Sequence, residues 1–157
     1  MLTVLAAVAV TGLLTRHSPQ SKVSARVILS SRTVAAGGQL SGQVIVDNRS
    51  GRVLHVHGCG GSHPVWVDLS NGHYHPAGMA PACAGTIAVP AGRTTYQVQV
   101  PATYGSCSVG HADGDTPQCD PGDKLPPLPA GAYQASLGSA DGFVPGPTPI
   151  PVRVTQP

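Results

Sequence analysis

Between Val23 and Val154 the chain repeats one device: a short run with an apolar residue, most often valine, at every second position, closed by glycine, proline or asparagine. A period of two belongs to a β-strand with one buried and one open face. Val23, Ala25, Val27 and Leu29 make the first such face, and Leu40, Gly42, Val44 and Val46 the second, which ends at the turn signal Asp47-Asn48-Arg49-Ser50-Gly51. Leu54 and Val56 carry the next, and Val65, Val67 and Leu69 another, followed by Asn71-Gly72, a two-residue hairpin signal. Ile87 and Val89 lead into Pro90-Ala91-Gly92, and Tyr96, Val98 and Val100 follow; Tyr133, Ala135, Leu137 and then Ile150, Val152, Val154 complete the series. Helix is disfavoured throughout: Gly (20) and Pro (16) fall between the runs, all seven acids are Asp, and Glu is absent. The expectation is one all-β domain over residues 23–157, an antiparallel β-sandwich of seven to eight strands.

Residues 1–22 read differently. Leu2 to Leu14 is a 13-residue uncharged apolar run; as a helix it spans about 20 Å, short of a bilayer core. That length suits the centre of a signal peptide. No Lys or Arg precedes the run, and Ala7-Val8-Ala9 is the one small-x-small candidate for cleavage, so a short hydrophobic anchor is the alternative. Thr15 to Lys22 is a polar linker. The expected location is secreted or extracytoplasmic, with the membrane contacted only through this segment.

The cysteines agree with export. Cys59, Cys83, Cys107 and Cys119 are even in number, as two disulfides in an oxidising compartment require. Three pairings are open; 59–83 and 107–119 are favoured because each closes a loop rich in Gly, Pro and Asp. The spacings of 24, 24 and 12 lack the Cys-x-x-Cys knuckles of a four-thiolate zinc site.

Chemistry gathers at the histidines. Five of the seven lie within 21 positions: His55, His57, His63, His73 and His75. Each His-x-His pair puts two imidazoles on one side of a strand. With Asn71-Gly72 as the turn, Ser70 faces His73, Leu69 faces Tyr74 and Asp68 faces His75. Asp68, His73, His75 and Trp66 then point outward, as do His55 and His57. If the two strands are neighbours, four imidazoles, a carboxylate and an indole share one face, a donor set for copper or zinc, with His63 as an extra ligand. The competing reading is an ordinary polar strand face. A one-residue slip in register separates the two.

Other signals are weaker. Asp113, Asp115, Asp120 and Asp123 lie in the long segment from Gly105 to Pro127, but without the spacing of a calcium loop. The nine basic residues are scattered and the net charge is +2, so no nucleic-acid surface is expected. There is no Gly-x-Ser-x-Gly elbow, no His-Glu-x-x-His and no phosphate-cradling glycine loop, and an enzyme is not expected.

Three short motifs carry a family resemblance. Leu128-Pro129-Ala130-Gly131-Ala132-Tyr133 resembles the L-P-x-G-x-Y lead into a late strand of immunoglobulin-like bacterial surface and inhibitor domains. Val89-Pro90-Ala91-Gly92 resembles their strand-turn-strand corner, and Val44-Ile45-Val46-Asp47-Asn48 an early strand ending in Asn. The chain thus looks like a small exported Ig-like domain of GC-rich bacteria. The cysteines and Trp66 depart from the true immunoglobulin arrangement. The resemblance implies that Tyr133 is a tyrosine-corner residue bonded to nearby backbone. The resemblance bears on fold and does not give a function; the expected role is non-catalytic binding or interaction at the cell envelope, toward an unknown protein or surface ligand. Copper or zinc binding by the histidine face is the alternative, and a protease-inhibitor role through residues 105–127 the third.

Overall fold

The computed structural model describes residues 22–58, 63–74, 85–112 and 116–157. The expected leader and most of the linker, Cys59, Cys83, His75, Asp113 and Asp115 lie outside the described residues.

Nine strands are present among the described residues: β1 (Val23–Leu29), β2 (Thr33–Ala35), β3 (Gln39–Asn48), β4 (Leu54–His57), β5 (Val65–Ser70), β6 (Thr86–Val89), β7 (Gly92–Pro101), β8 (Gly131–Ser139) and β9 (Ile150–Thr155). One sheet has the order β1-β3-β7, the second β2-β9-β8-β5, and β4 with β6 forms a two-stranded ribbon. The protein is an all-β sandwich. Its inner faces are those that the alternation marks. Val44, Val46 and Val100 from the first sheet and Val65, Val67 and Val154 from the second are almost fully buried, with Val56 and Val89 from the ribbon. Each such valine contributes about 1.5–3 kcal/mol of transfer free energy, against which chain entropy is set.

Three features differ from the sequence expectation. Thr33–Ala35 forms a strand that no alternating run announces. After β1 the chain leaves the first sheet, and β2 pairs with β9 in parallel, with Val34 opposite Val154. It turns back at Gly37, whose φ of +76° glycine adopts without strain, to start β3. The sandwich is therefore antiparallel in every strand pair among the described residues except this one.

The third difference is the hairpin. The Asn71 N–H donates to the Tyr74 carbonyl at 2.8 Å, which centres the tight turn on Gly72-His73, one residue beyond the expected Asn71-Gly72. The cause is the Asn71 side chain: its Oδ1 accepts from the His73 N–H at 2.9 Å and the Tyr74 N–H at 2.7 Å. An Asx turn of this kind competes with the ladder for backbone donors. Tyr74 faces Asn71, not Leu69. On its ladder side β5 pairs with β8, placing Asp68 opposite Ser136 and Trp66 opposite Gly138.

Among the described residues, one side chain of the polar or charged class, that of Asn48, is buried. Asn48 points inward from the end of β3 and is 1% exposed. Its amide donates to the carbonyls of Arg52 (2.9 Å), Pro90 (3.0 Å) and Val89 (3.3 Å), and its Oδ1 accepts from the Ser50 hydroxyl (2.6 Å) and N–H (3.1 Å). It closes its own turn and ties that turn to the corner between β6 and β7.

Candidate functional site

His55 and His57 do not share a strand face with His73; His75 lies outside the described residues. His55 and His57 lie exposed on β4, as the alternation requires, but the partner of β4 is β6, with His55 opposite Ala88 and His57 opposite Thr86. Asp68 lies on β5, in the other sheet, and His73 is exposed in the turn beyond it. The His63 ring packs edge-on against Tyr96, with centroids 5.6 Å apart. Among the described residues, no three His, Cys, Asp or Glu side chains are grouped so as to hold a metal ion. Asp120 and Asp123 of the acidic segment belong to no such group.

One pairing joins distant parts of the chain. Asp141 sits in a 3-10 turn (Ala140–Gly142) with φ of +52°. Its Oδ2 accepts from the His57 backbone N–H at 2.8 Å and lies 2.8 Å from His57 Nδ1. The backbone donor first, and then the imidazole, hold the Asp141 carboxyl below its usual range. A separation of 84 residues left no local signal for this pair in the sequence.

A cleft of about 600 Å³ opens where the turn after β5 meets the lead into β8. Three of the four tyrosines line it: Tyr74, Tyr104 and Tyr133. Each is fixed by a specific contact. The Tyr74 hydroxyl accepts from the Gly105 N–H at 2.7 Å, and the Tyr74 and Tyr104 rings meet edge to face at 4.9 Å. The Tyr133 hydroxyl donates to the Pro129 carbonyl at 3.0 Å, four residues upstream, as a tyrosine corner does. Burial raises the titration range of Tyr74 and Tyr133, so both hydroxyls are neutral at ordinary pH. Asn71, His73 and the backbone of residues 129–132 complete the lining, with no Asp, Glu, Lys or Arg among them. The three tyrosines are far apart in sequence; the pairing of β5 with β8 brings the turn holding Tyr74 to Tyr133, and the segment after β7 adds Tyr104.

On the outer face of β5, Asp68 is half buried beside Trp66. Burial pushes its carboxyl above the usual range, and the Trp66 indole N–H opposes that in part.

The segment after β7 is folded back on itself. Cys107 and Cys119 form the expected disulfide, with Cα atoms 4.9 Å apart. The Cys119 N–H donates to the Ser108 carbonyl and the Ser108 N–H to the Pro117 carbonyl, at 2.9 and 2.8 Å. Val109, next in sequence, is 72% exposed. The 59–83 pairing lies outside the described residues.

No protein-family model matches the chain, and no curated protein matches it.

Proposed function

We propose that this chain is an exported, non-catalytic binding domain of the cell envelope that holds an uncharged ligand in the tyrosine cleft. The cleft itself carries this reading. Tyr74 and Tyr133 are held by hydrogen bonds of their hydroxyls and Tyr104 by its ring contact with Tyr74, which gives a preformed surface, so little ordering entropy is lost on binding. The absence of charged side chains in the lining favours a neutral ligand. An extended, proline-bearing peptide fits this chemistry, since proline rings pack against aromatic side chains in grooves of this kind.

The finer fold assignment is immunoglobulin-like. It is supported by the β2-β9-β8-β5 order, by an early strand that changes sheets, and by the tyrosine corner that opens β8. Export is supported by the apolar run from Leu2 to Leu14 and by the 107–119 disulfide.

Titrating labelled protein with a proline-rich peptide while following backbone amide resonances tests the proposal. Shifts confined to residues 71–74, 104–105 and 129–133, and lost in Tyr104→Ala, are expected. A response to neutral oligosaccharides alone would change the ligand class. Silence toward both probes at millimolar concentration would overturn the cleft as a binding site.

A second reading rests on Val109. An exposed aliphatic residue on a disulfide-braced loop suits the small specificity pocket of an elastase-type protease, and bracing lowers the cost of binding. Inhibition of such a protease, abolished by Val109→Asp, is the expected result; no inhibition at a tenfold molar excess would exclude it.

A further inference from the structure

The imidazole pair on β4 is not part of the lining of the tyrosine cleft. His55 and His57 occupy alternate positions of one strand, are both exposed and face the same way. Their Cα atoms are about 6.6 Å apart by strand geometry, a span over which two imidazoles can close on one ion. The two rings differ in one respect. His57 Nδ1 lies 2.8 Å from Asp141 Oδ2, and a carboxylate accepts only, so the proton sits on Nδ1 and the Nε2 lone pair is free. Imidazoles that ligate metals characteristically donate their other ring N–H to a carboxylate, which fixes the tautomer and raises the basicity of the ligating nitrogen. Asp141 is itself held by a second bond, from the His57 backbone N–H, so carboxylate and ring are locked to the same residue.

We propose that His55 and His57 form a two-imidazole chelate for copper(II), with Asp141 as the carboxylate that orients His57. Copper(II) is the ion of choice for two reasons. It binds nitrogen sites most tightly among the divalent first-row metals, and its tetragonal geometry accepts two imidazoles with water at the remaining positions. A structural zinc site asks for four protein ligands, and no grouping of even three is present among the described residues. Asp141 is a positioning residue here and is not counted as a ligand. The chelate does not involve His73, His75 or Asp68.

The test is calorimetric titration of the disulfide-intact chain with copper(II) sulfate, with glycine as a weak competitor. Paramagnetic broadening of amide resonances reports the location. One ion per chain is expected, with broadening at residues 54–58, 86–88 and 140–142. His55→Ala/His57→Ala should lose the binding, whereas His73→Ala/His75→Ala should retain it. Asp141→Asn should weaken it about 10- to 100-fold with the thermal melt unchanged. Retention by the first double variant, or loss in the second, would overturn the site. Unchanged affinity in Asp141→Asn would overturn the orienting role of the carboxylate. Because His55, His57 and Asp141 do not line the tyrosine cleft, failure of the chelate leaves ligand binding at the cleft to be judged by its own experiment.

Discussion

Trp66 lies across Gly138: the two residues are directly opposed on β5 and β8, and a methyl group at 138 would overlap the indole ring. The missing side chain of one is the seat of the other. Gly138→Ala should therefore displace the indole into water and destabilise the fold by about 1–3 kcal/mol, the usual cost of overpacking. Trp66 is the sole tryptophan, so its fluorescence reports the site alone. A red shift together with a lower melting temperature is expected; an unchanged spectrum would count against the contact.

Asn48 should be the most sensitive polar residue. Asn48→Ala leaves the Arg52, Val89 and Pro90 carbonyls without their donor in a buried corner. A loss of about 2–3 kcal/mol is expected from urea denaturation. Tyr133→Phe removes the hydroxyl's bond to Pro129 and its interaction with the Asn71 side chain, and should cost about 1 kcal/mol.

Asp68 sets a pH dependence with a definite sign. Burial raises its folded-state pKa above the unfolded value. Its contribution to stability is then fully present below the unfolded pKa and is lost as pH rises through the folded pKa. At neutral pH the charged carboxylate is a burden. Asp68→Asn should melt higher than the unmodified protein at pH 7, and the gap should close on acidification to about pH 3. A constant gap across that range would show that burial is not the cause.

The 107–119 disulfide closes a short loop within the long segment after β7. Replacing both cysteines by serine should lower stability by about 3 kcal/mol on chain-entropy grounds. The loss should be accompanied by proteolytic nicking near Val109, which limited digestion followed by mass spectrometry would locate.

The core was legible because it obeys a period of two. Val23, Val44, Val56, Val67, Val98 and Val152 are inward where the alternation puts them. His55 and His57 point outward for the same reason. What escaped was decided by contacts between distant residues or by side chains that replace backbone partners. Thr33–Ala35 is too short to show a period, and its partner lies some 120 positions away. The Asn71 turn moved by one residue because its carboxamide took two backbone donors. The four-histidine face depended on β4 lying beside β5, whereas the ladders join β4 to β6 and β5 to β8. The tyrosine cleft gave no local sign, since its rings come from three separate segments.

The parallel pairing of β2 with β9 has a kinetic consequence. β9 lies between β2 and β8, so the second sheet stays split until the final strand is in place. A growing chain carries the open flanks of β2 and β8 until residues 150–155 emerge. Closure of so long a loop is slow, and unsealed flanks are adhesive. Completion of the second sheet is thus timed to the arrival of residues 150–155.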